Sequence, residues 1–143
     1  MPVQKTIDIA DALVTLVNAA AIGVTFSRAF VPEFDADDLA APKGVVVPRS
    51  ITIEPGSRTT DFDDHSIEIG IGRRISSEDA DMKAGLLVFE ALVDVIRAAA
   101  NKSLTTSDGD IVCRRGTVEV RLYDPEHVRK RVSLSVLRVT YRG

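Results

Sequence analysis

The sequence predicts an α+β fold of two layers, a mainly antiparallel sheet with two helices on one face, in the order α-β-β-β-α-β-β. Two segments, near residues 7–21 and 78–100, repeat apolar side chains every three or four positions, as a helix with one buried face does. Between and after them run β-branched or alternating stretches. The clearest sets Ile67, Ile69 and Ile71 against Glu68, Gly70 and Gly72. Short turns join successive strands, so antiparallel pairing is open to them. The 143 residues predict one domain, residues 1–143, large enough to bury roughly two thirds of its unfolded surface.

The first helix, Ile7 to Ala21, carries Ile9, Leu13, Leu16, Val17 and Ala20 on one stripe. Thr6 is placed to cap it, Asp8 to meet the positive end of its dipole, and Gly23 to end it. In the strand that follows, Val24, Phe26, Arg28 and Phe30 share a face. An arginine within a strand, a proline just after it, and then Phe34, Asp35, Asp37, Asp38 and Leu39 make this the most distinctive stretch of the chain. It suits a surface that meets a partner better than a pocket that does chemistry.

Gly44 to Glu54 reads as the second strand, and Pro48, with no N–H to give a ladder, implies an edge position or a bulge. Glu54-Pro55-Gly56-Ser57 is a turn. In the third strand the isoleucines face inward, and the bare Gly70 and Gly72 leave room for another backbone. The second helix, Glu78 to Ala100, aligns Met82, Leu86, Phe89, Val93, Ile96 and Ala100, and Leu87, Leu92 and Val95 widen the stripe. Ser76 with Asp79 resembles a capping box. Asn101 to Gly109 is a polar loop. Two last strands, near Gly116–Tyr123 and Val132–Tyr141, flank a turn at Asp124-Pro125-Glu126.

Composition narrows the function. A net charge of −3 does not mark a nucleic-acid binder, although residues 111–143 hold eight Lys and Arg against three Asp and Glu. One cysteine excludes an internal disulfide and fits a reducing compartment. Within Ile111-Val112-Cys113 it reads as a small buried hydrophobe. No signal peptide and no membrane span is visible, which points to assembly in the cytoplasm.

No catalytic set, metal site or cofactor motif emerges. His65 and His127 fall in no metal-ligand spacing and read as exposed loop or strand-end residues. Asp61, Asp63 and Asp64 lack the glycine and closing Glu of an EF-hand and read as a solvated turn. Gly70-x-Gly72 opens no helix, so it is no phosphate loop. No Ser or Cys sits in a nucleophile elbow. Basic residues cluster differently. Arg114 and Arg115 precede the fourth strand, and Arg129, Lys130 and Arg131 precede the fifth. Arg121 and Arg138 fall nearer the strand centres. A hairpin would set the two clusters at opposite ends, with Arg142 beside the first. The set is either a solubilising, edge-protecting face or a positive surface for phosphate or an acidic partner, such as Asp35, Asp37 and Asp38 of a neighbouring copy.

The element order, with Thr25-Phe26, Phe34-Asp35, Asp38-Leu39, Val45-Val46-Val47, the isoleucine strand and Leu134 through Val139-Thr140-Tyr141, resembles the tail terminators (minor tail protein U type) of long-tailed bacteriophages. The resemblance covers almost the whole chain. The basic run 129–131 and the loop 101–116 have no counterpart in that pattern. It implies a structural virion protein without cofactor, a tail-terminator-like domain forming a homo-oligomeric, hexameric ring on the head-proximal end of the tail. Such a ring stops polymerisation of the tail tube protein and presents a surface to the head–tail connector protein. DNA passes through its lumen without sequence specificity. Phe34 to Leu39 would then be a subunit or tube contact, and the basic set a lumen or acidic-partner surface. The rival readings are a neck completion protein and a small nucleic-acid-binding domain, the latter marked by salt-sensitive binding.

Overall fold

A computed structural model describes residues 2–30, 42–56, 61–74, 79–99, 103–123 and 132–143. Two helices and six strands follow in the order α1 (Pro2–Ala19), β1 (Thr25–Arg28), β2 (Lys43–Pro55), β3 (Asp61–Arg74), α2 (Asp79–Ala98), β4 (Ser103–Thr105), β5 (Ile111–Arg121) and β6 (Val132–Arg142). The sheet runs β1-β2-β3-β6-β5-β4, with β1 parallel to β2 and every other pair antiparallel. The expected α+β architecture is present, with one strand more than the sequence indicated. That strand, β4, lies inside the segment read as a loop and pairs Leu104 with Val112.

One face of the sheet holds the core. Ile67, Ile69 and Ile71 of β3 stand beside Val139 and Leu137 of β6, and α1 covers them with Ile9, Ala10, Leu13 and Val17. Phe89, Leu92 and Ile96 of α2 complete the cluster. The second helix therefore faces the sheet slightly to one side of the predicted stripe: Leu86 and Val93 flank the contact, and Leu87 is exposed. α1 reaches both sides of a curled sheet. Its Asn18 amide clasps the Phe26 backbone, accepting from N–H at 2.9 Å and donating to C=O at 3.1 Å. Near its other end, Lys5 pairs with Asp110 at 3.6 Å, in the turn between β4 and β5.

Helix α1 starts five residues before the predicted point, with Pro2 in the first turn, where a missing N–H costs nothing. Thr6 is thus an internal helical residue rather than a cap, and Asp8, in the second turn, accepts from Gln4 at 3.0 Å. The left-handed residue that closes the helix is Ala21, with φ 51°, and Gly23 follows in the connection. β1 stops at Arg28, short of Phe30. β2 satisfies the proline rule through a bulge, its register shifting between Pro48 and Ser50. β5 begins at Ile111 and already contains Arg114 and Arg115; two extra residues open between Arg115 and Glu119, with Gly116 at φ 67°. That interruption made Gly116 look like a strand start. Asp61, Asp63 and Asp64 belong to β3 and are not a turn.

The opposite face is only partly bare. Val45, Val47 and Leu134 are buried there although no described helix lies over them. Gly70 leaves no gap for a visiting backbone: a Cβ there would touch Leu134, Val45 and the Ser135 carbonyl at ordinary contact distances of 3.4–3.6 Å. Gly44 is the position where a missing side chain is required. The Phe26 ring lies across it, and a Cβ would fall 2.7 Å from the ring Cγ and nearer still to Cδ1 and Cε1. Gly44→Ala is therefore expected to destabilise the fold by roughly 1–3 kcal/mol through overpacking. In a double-mutant cycle with Phe26→Leu, the combined loss should be smaller than the sum of the single losses. Strict additivity in denaturant melts would show that ring and residue 44 do not meet.

Candidate functional site

Three features stand out among the described residues: a charged groove on the outer sheet face, a buried histidine beneath α1, and an apolar groove beside the edge of β2. The outer groove has a volume of about 390 Å³, and the β5 bulge forms one wall of it through Gly116 and Thr117. Two ion-pair chains lie on the same face, and their Glu54, Asp64, Glu119 and Arg138 line the groove. Glu68 of β3, largely buried, accepts from Arg138 of β6 at 2.7 Å and lies 3.5 Å from Arg49; Arg138 also reaches Glu119 at 3.5 Å. Arg142 holds Asp64 in a fork, Nε to Oδ1 at 2.7 Å and Nη2 to Oδ2 at 2.9 Å, and meets Glu54 at 2.6 Å. Its guanidinium also stacks on the Phe62 ring, 4.6 Å from the centroid.

These contacts shift the charges of their partners. The hydrogen bond from Arg142 holds the Asp64 carboxyl below its usual range against a smaller opposing effect of burial. The Glu68 hydrogen bond likewise raises Arg138. The described members of the basic set are placed differently from one another. Arg138 and Arg142 are matched by carboxylates. Arg114, on the helix-covered face, donates instead to the Ile96 carbonyl at 2.5 Å, capping the C-terminal turn of α2. Arg115 points to the other face and lines the groove. Arg121 ends β5 and is exposed, not central. The hairpin expectation holds in one respect: Arg114 and Arg115 sit at the same end as Arg142. Arg129, Lys130 and Arg131, His127 and the whole of Phe34, Asp35, Asp37, Asp38 and Leu39 lie outside the described residues.

Arg28, the arginine within a strand, is accounted for by α1. It donates Nε to Asp11 at 2.7 Å and lies over the exposed Phe30 ring at 5.3 Å. Two further readings need correction. Cys113 is exposed, because Val112 takes the inward position and its neighbours must point the other way. His65 is fully buried, 0% exposed, opposite Tyr141 and Ile51 on the helix-covered face. Its Nδ1 lies 2.7 Å from Thr6 Oγ1, and Nε2 finds no partner among the described residues. Nothing local marks this burial, since Thr6 lies 59 positions away. Burial pushes the imidazole below its ordinary value, the nearby Lys5 adds to this, and Asp63 and Asp64 oppose it.

The third feature lies where β1 ends. Val3, Thr6 and Ile7 of α1 face Phe30, Pro48 and Ile51 across a groove of about 250 Å³ with a mainly apolar lining. No set of three or more His, Cys, Asp or Glu side chains among the described residues is placed to hold a metal ion, and no described helix is long and apolar enough to cross a membrane. Among the described residues the surface offers a face of paired charges, an apolar groove and strand edges without a neighbouring strand.

No family model and no curated protein matches this sequence. Solved structures do match. One is a chain from the virion of a native gene transfer agent particle, 15% identical, covering 94% of this chain and 92% of its own, with a TM-score of 0.51. At that identity the likeness is one of fold, and it spans nearly the full length of both chains.

The histidine yields a pH prediction. A base whose folded pKa is depressed lends stability that is fully present above its unfolded value, near 6.5, and is lost as pH falls through the folded value. Wild-type stability is expected to decline as the pH falls below about 6.5, before the carboxylates titrate. His65→Gln should flatten that slope in urea melts taken across this range. An equal slope in both proteins would place the titration elsewhere.

Proposed function

We propose that this chain is a structural protein of a phage-like virion, and that within the particle it acts as a tail terminator. In that role it forms a ring on the head-proximal end of the tail tube, halts tube polymerisation, presents a docking surface to the head connector and lets DNA pass. The observation that carries the proposal is the fold shared with a gene transfer agent virion chain along nearly all of both. The site chemistry is consistent with it. On the outer face Arg138 and Arg142 are matched by carboxylates, and the accessible features among the described residues include an apolar groove and strand edges, which suit contact with protein. A neck completion protein would use the same features, and position in the particle separates the two.

In this reading the expected outcome of removing the protein is tails longer than wild type, measured by negative-stain microscopy, and copurification of the intact protein with tails from head-defective particles. Copurification with heads alone would support the neck reading instead. Replacing Asp35, Asp37 and Asp38 together by Ala should leave the far-UV spectrum and melting unchanged while lowering the yield of length-controlled tails. Unchanged tails would remove this segment from the interface.

A further inference from the structure

The two ends of α1 are held to the sheet by different means. From Ile9 onward the helix is fixed by apolar packing: Ile9, Ala10 and Leu13 are fully buried, and the Asn18 amide clasps Phe26 beyond them. The first turns have little of this. Of residues 3–8 only Thr6 is buried, and Val3 is 61% exposed. Thr6 meets His65 of β3, Oγ1 to Nδ1 at 2.7 Å, and Lys5 pairs with Asp110 at 3.6 Å. That ion pair is partly exposed, so it contributes little. The contact of Thr6 with His65 is therefore a buried polar tie at an end with sparse apolar packing of its own.

The surroundings of His65 suit a neutral ring. Ile51 of β2 stands opposite it on one side and Tyr141 of β6 on the other. The charged groups nearby are Lys5 on α1 and Asp63 and Asp64 on β3. Asp64 points to the outer face, where Arg142 holds it. Arg114 of β5 lies across from Tyr141 and is engaged with the Ile96 carbonyl, and burial pushes the Tyr141 phenol up, so it stays neutral. A protonated imidazole has two N–H donors. The Thr6 hydroxyl can accept one; Nε2 has no partner among the described residues, and Lys5 adds a like charge. A buried cation so placed costs more than one in water. Water reaches the ring once the first turns of α1 lift.

We propose that residues 2–8 of α1 form an acid-released clamp: protonation of His65 lifts these turns from the sheet, while the helix from Ile9 onward stays packed. Lifting takes Val3, Thr6 and Ile7 away from one wall of the apolar groove and uncovers Phe30, Pro48 and Ile51 opposite them. The sign follows from linkage. The open form binds a proton with the ordinary histidine pKa near 6.5, whereas burial lowers the pKa of the closed form. The clamp is therefore tightest above pH 6.5 and loosens as the pH falls. While the closed form stays neutral, the opening constant rises about tenfold between pH 7.5 and 5.5. The clamp does not depend on the virion role proposed above.

The test is amide hydrogen exchange of the full-length protein, read by NMR at pH 7.5 and 5.5 and divided by the intrinsic rate at each pH. The amides of residues 6–10, whose helical acceptors lie in the first turns, should lose about tenfold in protection at the lower pH. Those of residues 14–17 should keep theirs. His65→Gln, neutral at both pH values, should abolish the difference, with melting curves to check its fold. Thr6→Val should lower the protection of residues 7–10 already at pH 7.5. The wild-type ring gives a readout that needs no variant at position 65. Its signals, told apart from those of the other histidine by His127→Asn, should titrate together with the loss of amide protection. A ring that protonates while residues 6–10 stay protected overturns the clamp, because the charge is then accommodated in place. Equal loss at residues 6–10 and 14–17 overturns it in favour of global opening. A pH effect undiminished in folded His65→Gln assigns the trigger to another group and overturns it as well.

Discussion

The pairing of β3 with β6 is the constraint on which the rest depends. It runs unbroken from Asp64 opposite Arg142 to Arg74 opposite Val132, and it fixes which side of each strand meets the helices. A slip of one residue would turn Ile67, Ile69 and Ile71 toward the outer face and bring Glu68 and Asp64 under α1. Both faces resist that slip. On one, the isoleucines are buried against α1; on the other, Glu68 and Asp64 find Arg138 and Arg142 directly across the ladder. The ion pairs contribute modest energy individually because their partners are partly exposed. Their larger effect is on register, since each carboxylate has its guanidinium only when the strands are aligned as they are.

Everything more distant is attached to that central pair. β2 extends it through an antiparallel hairpin, and β1 is held to β2 by a short parallel ladder, by the ring of Phe26 over Gly44 and by the Asn18 clasp. On the other side the β5 bulge lets the strand leave and rejoin β6 without changing face, because the extra residues come as a pair. The sheet can therefore curl about α1, which touches Phe26 near one edge and Asp110 near the other. Curling and short capping strands protect part of each edge.

How much of this could be read in advance depended on the range over which each signal acts. The alternation from Ile67 to Ile71 and the stripes of both helices are local patterns, and the elements they predict are present. Cys113 was misjudged although its neighbour held the answer: once Val112 is inside, period-two geometry sends Cys113 outward. Gly116 concealed the continuity of β5 because a left-handed bulge and a strand terminus have the same local composition. His65 was beyond local reading, since its burial exists only after α1 folds onto a strand far along the chain. The basic residues were legible as a cluster in sequence but not as partners of Glu68, Asp64 and the Ile96 carbonyl. Those pairings are products of cross-strand register and of the helix end, and neither appears in composition. The aromatic-acidic stretch Phe34 to Leu39 lies outside the described residues.

The way the charges are matched bears on where this molecule can be recognised. A guanidinium that already holds a carboxylate, as those of Arg138 and Arg142 do, has little to gain from an anionic partner, because each new contact must first break one of comparable strength. An edge strand whose backbone groups have no ladder partner among the described residues, with an exposed isoleucine, carries no such debt: water is displaced, and new hydrogen bonds replace those made to solvent. Recognition along edges also tolerates wide sequence change. A backbone ladder needs the alternation of apolar and polar positions and the absence of obstruction, not particular side chains. The same requirement suffices for the fold itself, in which few positions, Gly44 beneath Phe26 being the clearest, depend on one residue type. Fold likeness at 15% identity is physically reasonable on those terms.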